Sequence, residues 1–146
     1  DQVTDPHNVG AVLRSAAAFE VSALIVQDRH SPPLSATVAK AASGALDLLP
    51  TIAVVNLART LAELKNAEFA CVGFDSDAPA TLSPGVLAHR RLALVFGAED
   101  KGLRRLVRES CDAIYALPAP GPIKSLNVSN AAAIAFYEAA RREWKG

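Results

Sequence analysis

Three short stretches place residues with chemical potential where an apolar run turns into a helical pattern. In "DPHNVGAVLRSAAAF" (5–19), Asn8 stands at a helix start and Arg14 one and a half turns later. An Asn there is a good N-cap, and the N–H groups of Val9, Gly10 and Ala11 are then free to face an anion. A helix side chain leans toward the N-terminus, so Arg14 is expected over Gly10 and Ala11, whose small size leaves it room. In "LALVFGAEDKGL" (92–103), Gly97 allows close approach of a ligand to the backbone, and Glu99 follows nearest the strand end. Asp100 and Lys101 read as a solvated turn. In "LPAPGPIKSLNVSNAAAIAF" (117–136), three prolines and a glycine stiffen a loop and leave carbonyls without competing N–H donors nearby, a surface that can hold a purine by its main chain. Ser125, Asn127 and Ser129 then offer hydroxyl and amide groups. Taken singly, each stretch reads as well as a cap and a charged surface.

The elements that must position these residues alternate. "SALIVQ" (22–27), "DLLPTIAVV" (47–55), "EFACVGF" (68–74), "LALVFG" (92–97) and "AIYALP" (113–118) read as strands. "NVGAVLRSAAAFE" (8–20), "LSATVAKAAS" (34–43), "NLARTLAELKNA" (56–67), "GLRRLVRES" (102–110) and "NVSNAAAIAFYEAARREW" (127–144) read as helices. The strands are continuous apolar runs, the pattern of strands covered on both faces, which predicts an α/β fold with a parallel-rich sheet flanked by helices. Ligands of such sheets gather at the strands' carboxyl ends, where all three stretches fall. The irregular stretch "DSDAPATLSPGVLAHR" (75–90) reads as a surface connection.

At 146 residues, with 51% hydrophobic and 21% charged residues, the chain has the size and composition of one globular domain. No apolar run is long enough to span a bilayer. Net charge is zero, from 15 basic and 15 acidic residues, so contact with nucleic acid must use a local patch or another domain. Cys71 and Cys111 lack CxxC spacing and read as reduced, buried thiols of a cytoplasmic protein. The chain has no Met, including at position 1, and reads as a fragment whose start lies upstream.

Other chemistries find little. There is no G-x-G-x-x-G after the first strand and no G-x-x-x-x-G-K-[ST], which weighs against an ordinary nucleotide-binding domain. His7, His30 and His89 lie far apart and read as loop residues, so no metal site is expected. No G-x-S-x-G elbow supports a Ser–His–Asp triad.

The three stretches, in this order, resemble the three motifs of the SpoU family of RNA ribose 2′-O-methyltransferases, in the SPOUT class. "DPHNVGAVLRSA" is similar to motif 1, "LALVFGAEDKGL" to motif 2 and "LPAPGPIKSLNVSNAAAIAFYEA" to motif 3. "NLART" is similar to the members that act on ribosomal-RNA guanosine. The resemblance implies a deep trefoil knot at the C-terminal end, which general folding rules would not predict. It also implies S-adenosylmethionine as cofactor, with contacts at Gly97, Leu117 and Leu126 and with Pro118 and Ile123 as neighbours. Catalytic roles carry onto Asn8, Arg14, Glu99, Ser125 and Asn127. Arg14 would be the central one, as general base or, because a free guanidinium with a pKa above about 12 is a poor base, as a forked donor to phosphate and developing alkoxide.

The implied partners are RNA, ribosomal first and transfer RNA second, and a second copy of the chain. The site of such a homodimer draws on both chains, and the face of the last helix with Val128, Ala132, Ala135 and Ala139 would suit the interface. Neither a membrane nor a metal is implied. Many relatives carry an N-terminal RNA-binding domain. Glu20 and Asn130 depart from the residues common in the family, and the strand that normally precedes motif 1 is at most partly represented by "DQVT". The competing function is a non-catalytic SPOUT-like RNA-binding or ribosome-assembly module.

Overall fold

The computed structural model describes residues 1–89 and 91–141. Elements follow in the order α1 (Pro6–Ala18), β1 (Leu24–Gln27), α2 (Ala36–Ala42), α3 (Ala45–Leu48), β2 (Thr51–Val54), α4 (Leu57–Asn66), β3 (Ala70–Phe74), β4 (Leu92–Phe96), α5 (Arg105–Ser110), β5 (Ala113–Tyr115) and α6 (Val128–Arg141). The predicted 142–144 part of the last helix lies outside the described residues.

All strand pairs are parallel, as continuous apolar runs require, but they form two sheets rather than one. β1 pairs with β2, and the order β4-β3-β5 makes the other sheet. Residues 1–5 form no strand, so "DQVT" joins no sheet, but Asp1 is tied down: its ammonium donates to the Phe96 carbonyl at 2.7 Å, and its carboxylate accepts from Arg104 N at 2.8 Å and from Arg104 Nε at 2.7 Å. The expected strand at 47–55 begins only after Pro50. Ser43 (φ 51°) and Gly44 (φ 86°) end α2 in the left-handed region, and Gly44 then caps the short α3, so "ALDL" is helical.

Helix α1 starts earlier than the amide at position 8 suggested. Asp5 is the N-cap, accepting from His7 N at 2.9 Å, and Pro6 occupies the first turn, where a missing N–H costs nothing. Asn8 is therefore inside the first turn and free for another partner. Gly10 does not make room for Arg14: a Cβ there would stand 2.4 Å from Ala41 Cβ and 2.7 Å from the Val38 carbonyl. Its smallness seats α1 against α2.

The buried residues form three clusters. Leu13, Ala16, Val38, Ala42, Ala132 and Phe136 join α1, α2 and α6. Leu57, Leu61, Cys71, Val95 and Val107 join α4 and α5 to the strands. Val72, Phe74, Leu82, Leu87 and Ala135 form the third. The 75–90 stretch is thus anchored rather than a plain surface connection, because Leu82 and Leu87 are core residues; Arg90 lies outside the described residues. The face of α6 with Val128, Ala132 and Ala135 is buried within the chain, which corrects its assignment to an interface. The exposed large apolar residues of α6 are Ile134 and Tyr137.

Both cysteines are free thiols, Cys71 buried and Cys111 half-buried. Burial, with Asp112 nearby, pushes the Cys71 thiol up, and burial pushes Cys111 up to about 11. Among the described residues no helix is long and apolar enough to cross a membrane. None of their His, Cys, Asp and Glu side chains group in threes to hold a metal.

Candidate active site

The parallel strands send their carboxyl ends to one side, and there the three loops meet. Asn127 precedes α6 and caps it: its Oδ1 accepts from Ser129 N at 3.0 Å and from Asn130 N at 3.4 Å. That orientation turns its amide nitrogen outward. Nδ2 donates to Asn8 Oδ1 at 3.0 Å and to Glu99 Oε1. The same Glu99 oxygen accepts from Val128 N at 3.1 Å, which places a carboxylate at the N-terminus of α6, where the helix dipole favours it. Residues 8, 99 and 127 thus form one network, with the capping hydrogen bonds fixing the direction of each donor.

The turn that carries Glu99 is tight. Gly102 N donates to the Ala98 carbonyl at 2.8 Å, and a Cβ on Gly97 would lie 2.2 Å from Gly102 C. What comes close to Gly97 on its Cβ side is therefore the backbone of Gly102. Gly102 itself has φ 63°.

Beside the network lies a cleft walled by Gly97, Glu99, Leu117, Ser125 and Leu126 and by Phe74 and Phe96. The two rings stack with centroids 5.0 Å apart and an interplanar angle of 7°. Asp75, Asp77, Glu99 and Asp100 line it against Lys101 and Lys124, so carboxylates outnumber ammonium groups. Asp75 also accepts from Arg108 Nη1 and, at 2.9 Å, from Asp77 N. Read as a surface connection, the 75–90 stretch does not single out these two aspartates. The signal available was its position after the third apolar strand, at a carboxyl end like the others.

Of the expected cofactor residues, Gly97, Leu117 and Leu126 line the cleft, with Leu126 partly exposed. Pro118 and Ile123 lie on the loop outside its wall, Ile123 at 75% exposure. That loop is tied across itself, Lys124 Nζ donating to the Ala119 carbonyl at 2.7 Å. Ser125 is an exposed part of the cleft wall. Arg14 is exposed, does not line the cleft and makes no hydrogen bond or ion pair among the described residues. Six residues on from Asn8, it stands about 9 Å along α1 and roughly 120° round it.

Residues 1–137 match the model of the SpoU rRNA Methylase family. The chain belongs to this family. A relative from Nitrosomonas europaea, a "23S rRNA (guanosine-2'-O-)-methyltransferase RlmB", is 53% identical over 142 residues, covering 97% of the chain and 54% of that protein. Its counterpart of the same name in Escherichia coli is 48% identical over 142 residues, covering 97% of the chain and 58% of that protein. The chain thus spans a little over half the length of these relatives. Among solved structures, the SpoU methyltransferase AviRb from Streptomyces viridochromogenes, in complex with AdoMet, is similar with a TM-score of 0.85. It is 28% identical, with 98% of this chain and 58% of that one covered. The SpoU fold thus accounts for the meeting of three loops far apart in sequence.

Proposed function

We propose that the whole protein methylates a ribose 2′-hydroxyl in RNA, ribosomal RNA at guanosine first and transfer RNA second, with S-adenosylmethionine as cofactor. The observation that carries this is the convergence of Asn8, Glu99 and Asn127 beside an acid-lined cleft. The names of the relatives and the AdoMet complex of AviRb support it.

The residues present fit the cofactor. Phe74 and Phe96 give an apolar floor, the carboxylates suit a sulfonium cation, and Pro118, Pro120 and Pro122 leave carbonyls free of competing N–H donors. Gly97, Leu117 and Leu126 would hold it, with Pro118 and Ile123 on the loop beside them. When bound, it supplies an electrophilic methyl group. The protein contributes orientation and charge. Asn8, Glu99 and Asn127 fix the cleft's mouth, and Ser125 presents a hydroxyl at its wall. Arg14 serves the ribose side as a forked donor, holding a phosphate and stabilising the oxyanion left by the 2′-hydroxyl.

Further parts belong to this reading. A homodimer in which the site draws on both chains accounts for an Arg14 that does not line its own cleft, with Ile134 and Tyr137 as candidate contact residues. A C-terminal trefoil knot, as the family resemblance implies, belongs to it as well; at the exit of β5 residues 80–82 pair with Ala116, Ala116 N donating to the Ala80 carbonyl and Leu82 N to the Ala116 carbonyl, both at 2.8 Å. A separate N-terminal RNA-binding domain fits a domain with no net charge to attract RNA, and a cytoplasmic location fits relatives named for acting on ribosomal RNA.

The test is Arg14→Ala in the whole protein, with ribosomal RNA and labelled cofactor. Transfer should fall by about a hundredfold or more while cofactor affinity by calorimetry stays within a few-fold. Loss of both would remove Arg14 from the ribose side, and undiminished transfer would remove it from the reaction.

A further inference from the structure

The "NLART" segment takes no part in the cleft, yet it lines a second concavity. A cavity of about 320 Å³ lies between the starts of α4 and α5, walled by Gln27, Val55, Asn56, Ala58 and Arg104–Val107. That volume is at the lower end of the range for small-ligand sites. Val55 and Leu106, 80% and 57% exposed, give it apolar sides. Its polar groups decide what it suits.

Gln27 is the buried polar residue of the core, 7% exposed. Its Oε1 accepts from Arg104 Nη2 at 2.9 Å, which leaves the Nε2 hydrogens without a partner among the described residues. Asn56 Oδ1 accepts from Arg59 N at 3.1 Å as the N-cap of α4, and its Nδ2 is likewise unpartnered among them. Arg105 holds only an exposed pair with Glu109 at 3.3 Å, which solvent screens. Both amide oxygens are thus engaged, and what remains toward the cavity is donors.

We infer that this cavity binds an unstacked guanine of the RNA, adjacent to the reacting nucleotide, through donors from Gln27, Asn56 and Arg105 to its O6 and N7. Guanine is the base whose outer edge offers two neighbouring acceptors, and Arg is their commonest partner. Sequence-specific reading of RNA acts on such splayed bases, which stack on planar groups such as the Arg105 guanidinium, with Val55 and Leu106 as apolar sides. Gly102, in the cleft wall, and Arg104, in the cavity wall, are two residues apart, so the two concavities are neighbours. The ligand class rests on the RNA reading proposed above.

The test titrates the 15N-labelled full chain with 5′-GMP, 5′-AMP and inorganic phosphate, following the side-chain amides of Gln27 and Asn56 by NMR. GMP should move both, about tenfold more tightly than AMP, and phosphate should not. Asn56→Asp, which keeps the oxygen that caps α4 and removes the donors, should abolish the preference for GMP, as should Arg105→Ala. Equal responses to GMP and AMP, a response to phosphate alone, no response, or an Asn56→Asp variant that still prefers GMP would each overturn the inference. A protein that binds GMP in this way but methylates no RNA keeps this site and loses the proposed function. One that methylates RNA without a GMP response does the reverse.

Discussion

The cleft and the cavity flank the same stretch, Gly102–Val107, and are finished in opposite ways. In the cleft wall the polar groups answer one another: Glu99 takes the Asn127 amide and Val128 N, Asn127 takes Ser129 N, and Asp75 takes Arg108. Carboxylates remain in excess there. In the cavity the acceptors are consumed by Arg104 and by the α4 cap, and donors remain. The difference teaches that a network closed on itself fixes a geometry, whereas leftover groups of one kind declare what a ligand must bring. An excess of carboxylates suits a cation, and an excess of donors suits an acceptor edge.

The largest stability effect should come from the backbone that closes the cleft. Gly97→Ala puts a Cβ 2.2 Å from Gly102 C and should cost about 2–3 kcal/mol in urea unfolding, with cofactor binding lost; a variant of wild-type stability would mean the turn is not so tight. Glu99→Ala leaves Val128 N and one hydrogen of the Asn127 amide unanswered and should cost about 1–2 kcal/mol. No loss would mean the network is ornamental to the fold.

Cys111 Sγ lies 3.1 Å from where a Cβ on Gly73 would stand. Its thiol is raised from 9.0 to about 11, so it is protonated and should alkylate far more slowly at pH 8 than a free thiol. The folded pKa is the higher one, so the stability gained from keeping the proton is whole below about pH 9 and lost as pH rises through about 11. Fast labelling of folded protein at pH 8 would contradict this. The smallest effect belongs to the cavity: Asn56→Asp and Arg105→Ala should change stability by no more than about 0.5 kcal/mol, since neither breaks a buried bond. A larger loss would make the cavity a structural joint rather than a site.

Much of this was legible in the residues. Continuous apolar runs announced parallel strands, and the loops with Asn8, Glu99 and Asn127 were visible as polar groups at strand ends. What misled was local reading of contacts that are tertiary. Asn8 looks like a cap until the better-placed oxygen of Asp5 is considered, and Gly10 looks like room for Arg14 when it admits Ala41. The small residues of α6 looked like an interface because nothing in a helix pattern says whether the face it buries meets its own chain or another. The donors left over by Gln27 and Asn56 depend on which partner takes each oxygen, and that only coordinates reveal.

The most direct test of the account is to incubate the whole protein with ribosomal RNA and labelled S-adenosylmethionine and to map the modification by nucleoside mass spectrometry. The account predicts label on a ribose 2′-oxygen, at guanosine first. Label on a base, or on none of the ribosomal and transfer RNAs, would contradict it.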